Sequence, residues 1–305
     1  MARVFIDGFE SGQAGQWTNS GSGGNVVATA IAGFSATYSL LLAPNHICAK
    51  TLPASKSELY FSFRIYWGGG NSTLIAFFDS ANTEIASLVI NTGTGRINFK
   101  RGVSSGATIA SGTNVLSVSR AYLIEVKYIP LNSGGTMQVK VDGVLDLDYS
   151  GGVLDTTAGL ENVQKWLLGY DGGYAAAIYF DDFIVDDTAW IGNSRVQAII
   201  PDAVDVTYED WTPNSAVDNY TCVDERPASD TDYVSSNTND HLDLYGCSNL
   251  VGTIDTVKSV QLQARCAYEG TPTPTKIQLA LWSSSTSYFS PSFATPSAFG
   301  APVVN

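Results

Sequence analysis

The chain has 305 residues, with 16 Lys and Arg against 29 Asp and Glu, and its formal net charge is −13. Charged residues make up only 15% of it and hydrophobic residues 44%, which excludes a helical bundle or coiled coil and excludes extensive disorder. The acidic balance also argues against nucleic-acid binding, because a negative surface repels phosphate groups.

The order of the residues excludes two further classes. No run approaches the roughly 18 consecutive apolar residues of a transmembrane helix. The opening residues, MARVFIDGFESG, contain no basic stretch followed by an apolar one, so no secretory signal is expected. We therefore expect synthesis in the cytosol and no insertion into a membrane.

Residues 1–190 are predicted to form a series of short strands. In 58–67 apolar residues occupy every second position, which is typical of a strand with one face in a core. The dipeptide Asp142-Gly143, between two alternating runs, predicts a tight hairpin. The predicted strands are 4–7, 38–42, 58–67, 73–79, 85–91, 96–101, 122–130, 135–141, 144–149, 166–170 and 177–185. Their short, regular spacing and their Gly- and Asn-containing turns predict an antiparallel β-sandwich or jelly roll.

The composition changes after residue 188, and residues 191–305 are predicted to form a second, smaller β-sandwich domain. Its first strand is expected at 191–200, and strands are expected again at 259–268 and 276–282. Residues 202–243 carry eleven acidic side chains and one basic one, whereas residues 283–305 carry no charge. That uncharged stretch predicts either a domain left incomplete at its C-terminus or a closing strand supplied by another chain.

The cysteines predict free, buried thiols. None has Cys-x-x-Cys spacing, and two histidines alone argue against a zinc site. A disulfide between Cys222 and Cys247 is the alternative, which a reducing compartment would prevent. The four cysteines are Cys48, Cys222, Cys247 and Cys266.

No catalytic residues are predicted. Asp142, Asp146 and Asp148 alternate along one predicted strand and are interpreted as its polar outer face. Neither histidine has a nucleophile motif beside it, and no phosphate-binding loop is present. We therefore expect a protein that is not an enzyme, with glycan degradation as the weakest of three hypotheses.

An acidic cluster predicts a structural calcium site. Asp7 and Glu10 open the first predicted domain, Asp181 lies in its last strand, and the first and last strands of a sandwich are often neighbours. Alternation directs Asp181 toward the core, where a carboxylate needs a partner or a metal ion. These oxygens and a Gly carbonyl could complete a cage for Ca²⁺. The alternative is a set of edge carboxylates bonded to backbone amides.

Several segments resemble the concanavalin A-like lectin/glucanase family, also described as LamG-like, and more narrowly its versions in structural proteins of tailed phages. The segments are FIDGFESG, ELYFSFRIYW and IYFDDFIVDD, followed by WIGNSRV at the start of the second domain. The resemblance implies a concanavalin A-like sandwich, with a calcium ion between the N-terminal segment and Asp181. The catalytic carboxylate run of the glucanases has no counterpart here, so the resemblance does not imply hydrolysis.

Two functions follow as expectations. The first is a virion structural protein, such as a capsid decoration, tail or fibre-associated component, made in the host cytoplasm and located in the virion. Its partners would be other virion proteins, copies of itself and a host surface glycan. The alternative is a carbohydrate-binding, lectin-like module not tied to a virion. The candidates for glycan contact are aromatic residues in or beside predicted loops: Trp17, Trp67, Tyr170, Tyr174 and Trp211.

Overall fold

A computed structural model describes residues 3–18, 24–28, 30–34, 37–152, 161–169, 177–215, 218–268, 276–283, 286–295 and 303–304. The chain is all-β, as predicted, and divides into a first unit, Met1–Val196, and a second unit, Gln197–Asn305. Residues 191–196 therefore belong to the first unit, six residues beyond the predicted boundary. No helix in the described ranges has the length and hydropathy needed to cross a bilayer.

The first unit consists of two stacked antiparallel sheets, as the sequence predicts. One sheet has the order β12-β11-β10-β5-β14-β3-β2, with β1 also paired to β14, and the other has the order β4-β13-β6-β7-β8-β9. The strands are β1 (Arg3–Asp7), β2 (Gly24–Ala28), β3 (Tyr38–Leu42), β4 (Ile47–Lys56), β5 (Leu59–Trp67), β6 (Ser72–Phe78), β7 (Glu84–Asn91), β8 (Arg96–Arg101), β9 (Thr108–Ser111), β10 (Ala121–Ile129), β11 (Gly135–Val141), β12 (Val144–Gly152), β13 (Val163–Gly169) and β14 (Ile178–Asp186).

Three of these strands, β2, β4 and β9, are absent from the sequence prediction. All three lie at sheet edges, where one side of the strand makes no ladder hydrogen bonds. Strand β4 contains Pro53 among exposed residues, a position that only an edge strand tolerates. Edge strands bury fewer side chains, so their apolar alternation is weak and the sequence pattern does not reveal them.

Aromatic side chains from both sheets meet in the core between them. The predicted inward face of β5 is confirmed, because each of its five alternate apolar residues is at most 3% exposed. Phe61 on β5 contacts Phe77 on β6 and Trp166 on β13, with ring centroids 5.4 Å apart in both pairs. Burying rings of this size supplies much of the free energy that holds the two sheets together.

The outward face of β5 is buried as well, which the alternation does not predict. Tyr60, Ser62 and Arg64 are 6%, 1% and 7% exposed. They lie beneath residues 187–196, here called the covering segment, which follows β14 and forms no strand of its own. The strand predicted at 191–200 is therefore wrong, and the next strand begins at Pro201. Gly8 allows the segment to end close to β1, because a Cβ there would lie 2.7 Å from the Val196 side chain.

The second unit pairs its described strands as five two-stranded antiparallel sheets, with one short 3₁₀ helix, Asn219–Cys222. Its strands are β15 (Pro201–Glu209), β16 (Thr212–Pro213), β17 (Val234–Ser235), β18 (Asp243–Cys247), β19 (Gln263–Ala264), β20 (Lys276–Ile277), β21 (Ala280–Ser283), β22 (Thr286–Phe289), β23 (Phe293–Ala294) and β24 (Val303–Val304). The pairs are β15 with β18, β16 with β17, β19 with β24, β20 with β23 and β21 with β22.

All four cysteines are free, so the alternative disulfide between Cys222 and Cys247 is not formed. Cys48 and Cys222 are buried, as predicted. Cys247 is exposed and Cys266 is half-buried, so burial was wrongly predicted for these two. Both lie in the second unit, where few side chains are enclosed.

Candidate functional site

The candidate site is a cavity of about 440 Å³ on the outer face of the eight-stranded sheet, under the covering segment. Strand alternation directs Arg64 from β5, Glu125 from β10 and Lys140 from β11 to this face. Glu125 lies directly opposite Lys140 in the sheet register. The lining residues are Arg64, Leu123, Glu125, Lys140, Asp142, Gly143, Trp190, Ile191, Gly192 and Asn193.

Apolar contacts hold the covering segment on the sheet. Ile191 is 3% exposed and clusters with Tyr60 and Ile184. The Trp190 ring meets the Tyr60 ring edge-on, with centroids 5.6 Å apart. On the cavity side, the Lys140 ammonium lies 3.8 Å from the centroid of the Trp190 ring, in cation–π geometry. An aromatic ring and a cation therefore share one wall of the cavity.

Hydrogen bonds fix the polar groups of the cavity. The Gly192 amide donates to Oε1 of Glu125 at 2.8 Å, and the Ser62 hydroxyl donates to the Gly192 carbonyl at 3.4 Å. The Arg64 guanidinium donates to Oδ1 of Asn193. Glu125 is 3% exposed, so its carboxylate is held in one orientation at the floor of the cavity. Such preorganised polar groups can bind a ligand without first losing their own freedom.

Asp182 secures both Arg64 and the end of the covering segment. It lies at a register shift between Asp181 and Ile184 in β14, with a φ of 50°. Its carboxylate accepts hydrogen bonds from Arg64 Nε at 3.1 Å, Arg195 Nη1 at 3.0 Å and the Val196 amide at 2.7 Å. Burial lowers the pKa of Arg64, and so does neighbouring Arg195, whereas Asp182 opposes that change.

Sequence reasoning missed these site residues, although one signal was available. Arg64 is the one charged residue within the apolar run of β5, and a charge in such a run needs a partner. The partner is Asp182, the second acid of the Asp181-Asp182 pair, whereas the sequence interpretation singled out Asp181. The cavity itself depends on the path of the covering segment, which no local pattern reveals.

The aromatic residues predicted to contact glycans do not come together. Trp17 is 6% exposed, with its ring 5.1 Å from that of Phe5 and 6.0 Å from that of Phe9. Trp67 is 3% exposed and donates from Nε1 to the Gly70 carbonyl. Both lie in the core, so the prediction that they present an open ring face is wrong, because burying a large ring between the sheets is more favourable than exposing it.

The other three aromatic candidates have different positions. Trp211 lies half-buried in the second unit, where its Nε1 donates to the His241 carbonyl at 3.2 Å and its amide donates to Asp243. Tyr170 and Tyr174 lie outside the described residues. The structure thus associates Trp190, which the sequence analysis did not select, with the candidate site.

The predicted calcium ligands are not grouped. Asp7 accepts hydrogen bonds from the Phe9 amide at 2.7 Å and from Trp17 Nε1 at 2.9 Å, so each of its oxygens already has a donor. Glu10 accepts from the Tyr38 amide and Asp181 from the Asp182 amide. In the described ranges no three acidic, His or Cys side chains are placed to hold a metal ion. Calcium binding stays a prediction, without a ligand set in this part of the chain.

Two of the three aspartates interpreted as one polar strand face have separate roles. Asp142 forms an ion pair with Arg120 at 3.4 Å and accepts from the Leu123 amide. Asp146 is only 6% exposed and lies at a register shift between β11 and β12. It accepts from the Thr113 and Asn114 amides at 2.8 and 2.6 Å. The solvated-face interpretation is therefore wrong for Asp146, which anchors a loop.

The chain matches no protein-family model and no curated protein. Among solved structures it is similar to the carbohydrate binding module CBM66 from Bacillus subtilis, with 16% identity and a TM-score of 0.38 over 56% of this chain and 95% of that one. An alginate lyase in complex with alginate tetrasaccharide shows 14% identity and a TM-score of 0.39 over 64% of this chain and 95% of that one. A galectin of Caenorhabditis elegans shows 11% identity and a TM-score of 0.33 over 45% and 89%.

Likenesses of this size carry no argument about ligand or activity. The assignment of the first unit as a β-sandwich rests on its two stacked antiparallel sheets. A carbohydrate binding module and an alginate lyase both occur among these similar structures, so they do not decide between binding and catalysis. They give no support to a phage context, which stays a prediction.

Proposed function

We propose that the first unit is a carbohydrate-binding, lectin-like module and that its binding site is the cavity under the covering segment. The observation that carries this proposal is one cavity in which an aromatic ring, Trp190, adjoins the fixed polar groups of Arg64, Glu125 and Asn193. Its volume of about 440 Å³ lies within the usual range for small-ligand sites.

The chemistry of the cavity suits a sugar. A sugar ring offers hydroxyl groups that both donate and accept, and Glu125 supplies an acceptor while Lys140 supplies donors. Its C–H groups need apolar contact, which Trp190 and Leu123 supply in the wall of the cavity. The proposal involves binding without turnover, because it requires only that these groups hold hydroxyls and does not require a proton to be moved.

The two lysines Lys140 and Lys127 offer a matched test of the site. Both lie on the outer face of the same sheet, and each ammonium lies over an aromatic ring, 3.8 Å from Trp190 and 5.4 Å from Tyr60 respectively. Only Lys140 lines the cavity. On an array of defined oligosaccharides, we expect Lys140→Ala and Asn193→Ala each to lower the affinity about tenfold or more. Each variant removes one or two charged or polar contacts, and about 1.4 kcal/mol corresponds to a factor of ten in affinity.

Lys127→Ala should bind as the unmodified chain does. Calorimetric titration with the strongest oligosaccharide on the array then gives the dissociation constants. Absence of binding to every oligosaccharide would contradict the function, and undiminished binding by both cavity variants would contradict the site. Release of shorter sugars from that oligosaccharide during incubation would contradict binding without turnover.

A virion structural role is the second candidate, and the exposed apolar side chains of the second unit favour it. Proteins that assemble in many copies keep such surfaces for contact with neighbours. Mass spectrometry of purified virus particles should then find the chain in fixed proportion to the other virion proteins. Detection only in the soluble fraction of the lysate would count against this role.

A further inference from the structure

The second unit leaves large apolar side chains in solvent. None of its described residues belongs to a cluster of buried hydrophobic residues, and only Asn219, Cys222 and Ser290 among them are buried. A unit of this length normally encloses a core. Its exposed large apolar residues are Ile199, Val204, Val251, Ile254, Val257, Val260, Leu281, Trp282, Tyr288 and Phe289.

The largest of these side chains share one element, the ribbon formed by β21 and β22. Leu281 pairs with Tyr288 across the ribbon, and these two residues are 37% and 61% exposed. Trp282 and Phe289 lie on the opposite face and are 40% and 58% exposed. Within the described residues neither strand has a further neighbour in a sheet. A two-stranded ribbon is marginally stable alone and needs cover on an apolar face.

The distribution of charge indicates what covers the ribbon. Residues 277–305 contain no Asp, Glu, Lys or Arg, whereas residues 202–243 carry eleven acidic side chains and one basic one. A basic partner would be drawn to the acidic stretch rather than to the ribbon. Two copies of an acidic chain repel each other least where neither surface carries charge, because salt screens the more distant charges. Contact between two ribbons also requires no charge to be desolvated.

We propose that the face of the ribbon formed by Leu281 and Tyr288 is the contact between two copies of this chain, each copy covering these two side chains of the other. A twofold contact of this kind uses the same patch on both copies, so an uncharged, apolar patch is complementary to itself. This inference does not depend on the proposed carbohydrate site, because it concerns other residues and is tested without a sugar.

The test is the mass of the full chain in solution, measured by sedimentation over a range of concentrations. We expect at least two chains per particle for the unmodified protein. The double variant Tyr288→Lys/Phe289→Lys should sediment as one chain, because it places like charges on both sides of the contact. The matched control is Val115→Lys, at a residue of the first unit that is 62% exposed, and it should associate as the unmodified chain does.

Circular dichroism tests whether each variant retains its strands. If the double variant loses them, Tyr288→Ser gives the same test by removing only an exposed ring, and it should raise the dissociation constant about tenfold. A single-chain mass for the unmodified protein at every concentration would overturn the inference. Unchanged association of folded Tyr288→Ser or of the folded double variant would also overturn it.

Discussion

Asp7 lies at the end of β1 with only 3% of its surface exposed. The hydrogen bonds from the Phe9 amide and Trp17 Nε1, together with the charge of Lys50, lower its pKa, but the loss of solvation outweighs them. Burial consequently raises the pKa of Asp7 to about 7 from an ordinary value of 3.8. The folded chain therefore keeps this proton at pH values at which the unfolded chain has released it.

This difference predicts that stability falls as pH rises. Below the unfolded pKa the contribution of Asp7 is fully present, and between about 4 and 7 the unfolded state alone loses the proton, at about 1.4 kcal/mol per pH unit. Above about 7 both states are ionised and the loss is complete. Urea unfolding at pH 5 and pH 8 should show a smaller free energy of unfolding at pH 8.

The variant Asp7→Asn should reduce this difference between the two pH values, because the group that titrates is gone. Asp148→Asn, at an exposed position on β12, is the control and should keep the difference found for the unmodified chain. An equal pH dependence in the unmodified chain and in Asp7→Asn would contradict the assignment to Asp7.

At the scale of elements, the covering segment and the core strand β5 should respond differently to truncation. Ile191 attaches the segment to the outer face of the sheet, whereas Phe61 packs between the two sheets. Phe61→Ala should lower the free energy of unfolding of the first unit by about 3–5 kcal/mol, as expected for a buried ring. Ile191→Ala should instead loosen the segment while the two sheets remain stacked.

Hydrogen exchange distinguishes these outcomes. The Gly192 amide, which donates to Glu125, should exchange faster in Ile191→Ala, while the β5 amides exchange as in the unmodified chain. In Phe61→Ala the amides of both elements should exchange faster together. If Ile191→Ala accelerates exchange in β5 as much as at Gly192, the segment is part of the same cooperative unit and the separation is wrong.

At the scale of the whole molecule, the two proposals combine in one expectation. Two linked copies present two carbohydrate sites, so release from a surface coated with the bound oligosaccharide requires both sites to dissociate. The unmodified chain should leave such a surface about 10²-fold more slowly than Tyr288→Lys/Phe289→Lys. Both proteins should bind the same oligosaccharide equally well when it is free in solution.

Surface plasmon resonance measures the first quantity and calorimetry the second. Equal dissociation rates from the coated surface would show that the copies do not act together. A weaker affinity of the variant for free oligosaccharide would instead mean that the ribbon contributes to carbohydrate binding. That result would contradict the proposal, which keeps the ribbon and the carbohydrate site separate.

Local patterns allowed much of the fold to be predicted. The alternation in β5 identified the five residues that enter the core, and Asp142-Gly143 identified the hairpin between β11 and β12, because both signals depend on neighbours in sequence. For the same reason, the position of Trp17 outside the strands led to the wrong prediction that its ring is open to solvent. Its neighbours do not show which distant side chains, here Phe5, Phe9 and Phe183, enclose its ring.

The sequence by itself determined an all-β chain with stacked antiparallel sheets, an acidic balance and an uncharged final stretch, since composition and period-two alternation express these directly. Only the tertiary structure decided that the outer face of β5 is covered and that a cavity forms there. The physical reason is distance along the chain. The groups that build the cavity are 67 residues apart for Glu125 and Gly192 and 129 for Arg64 and Asn193, so only the folded path of the chain brings them together.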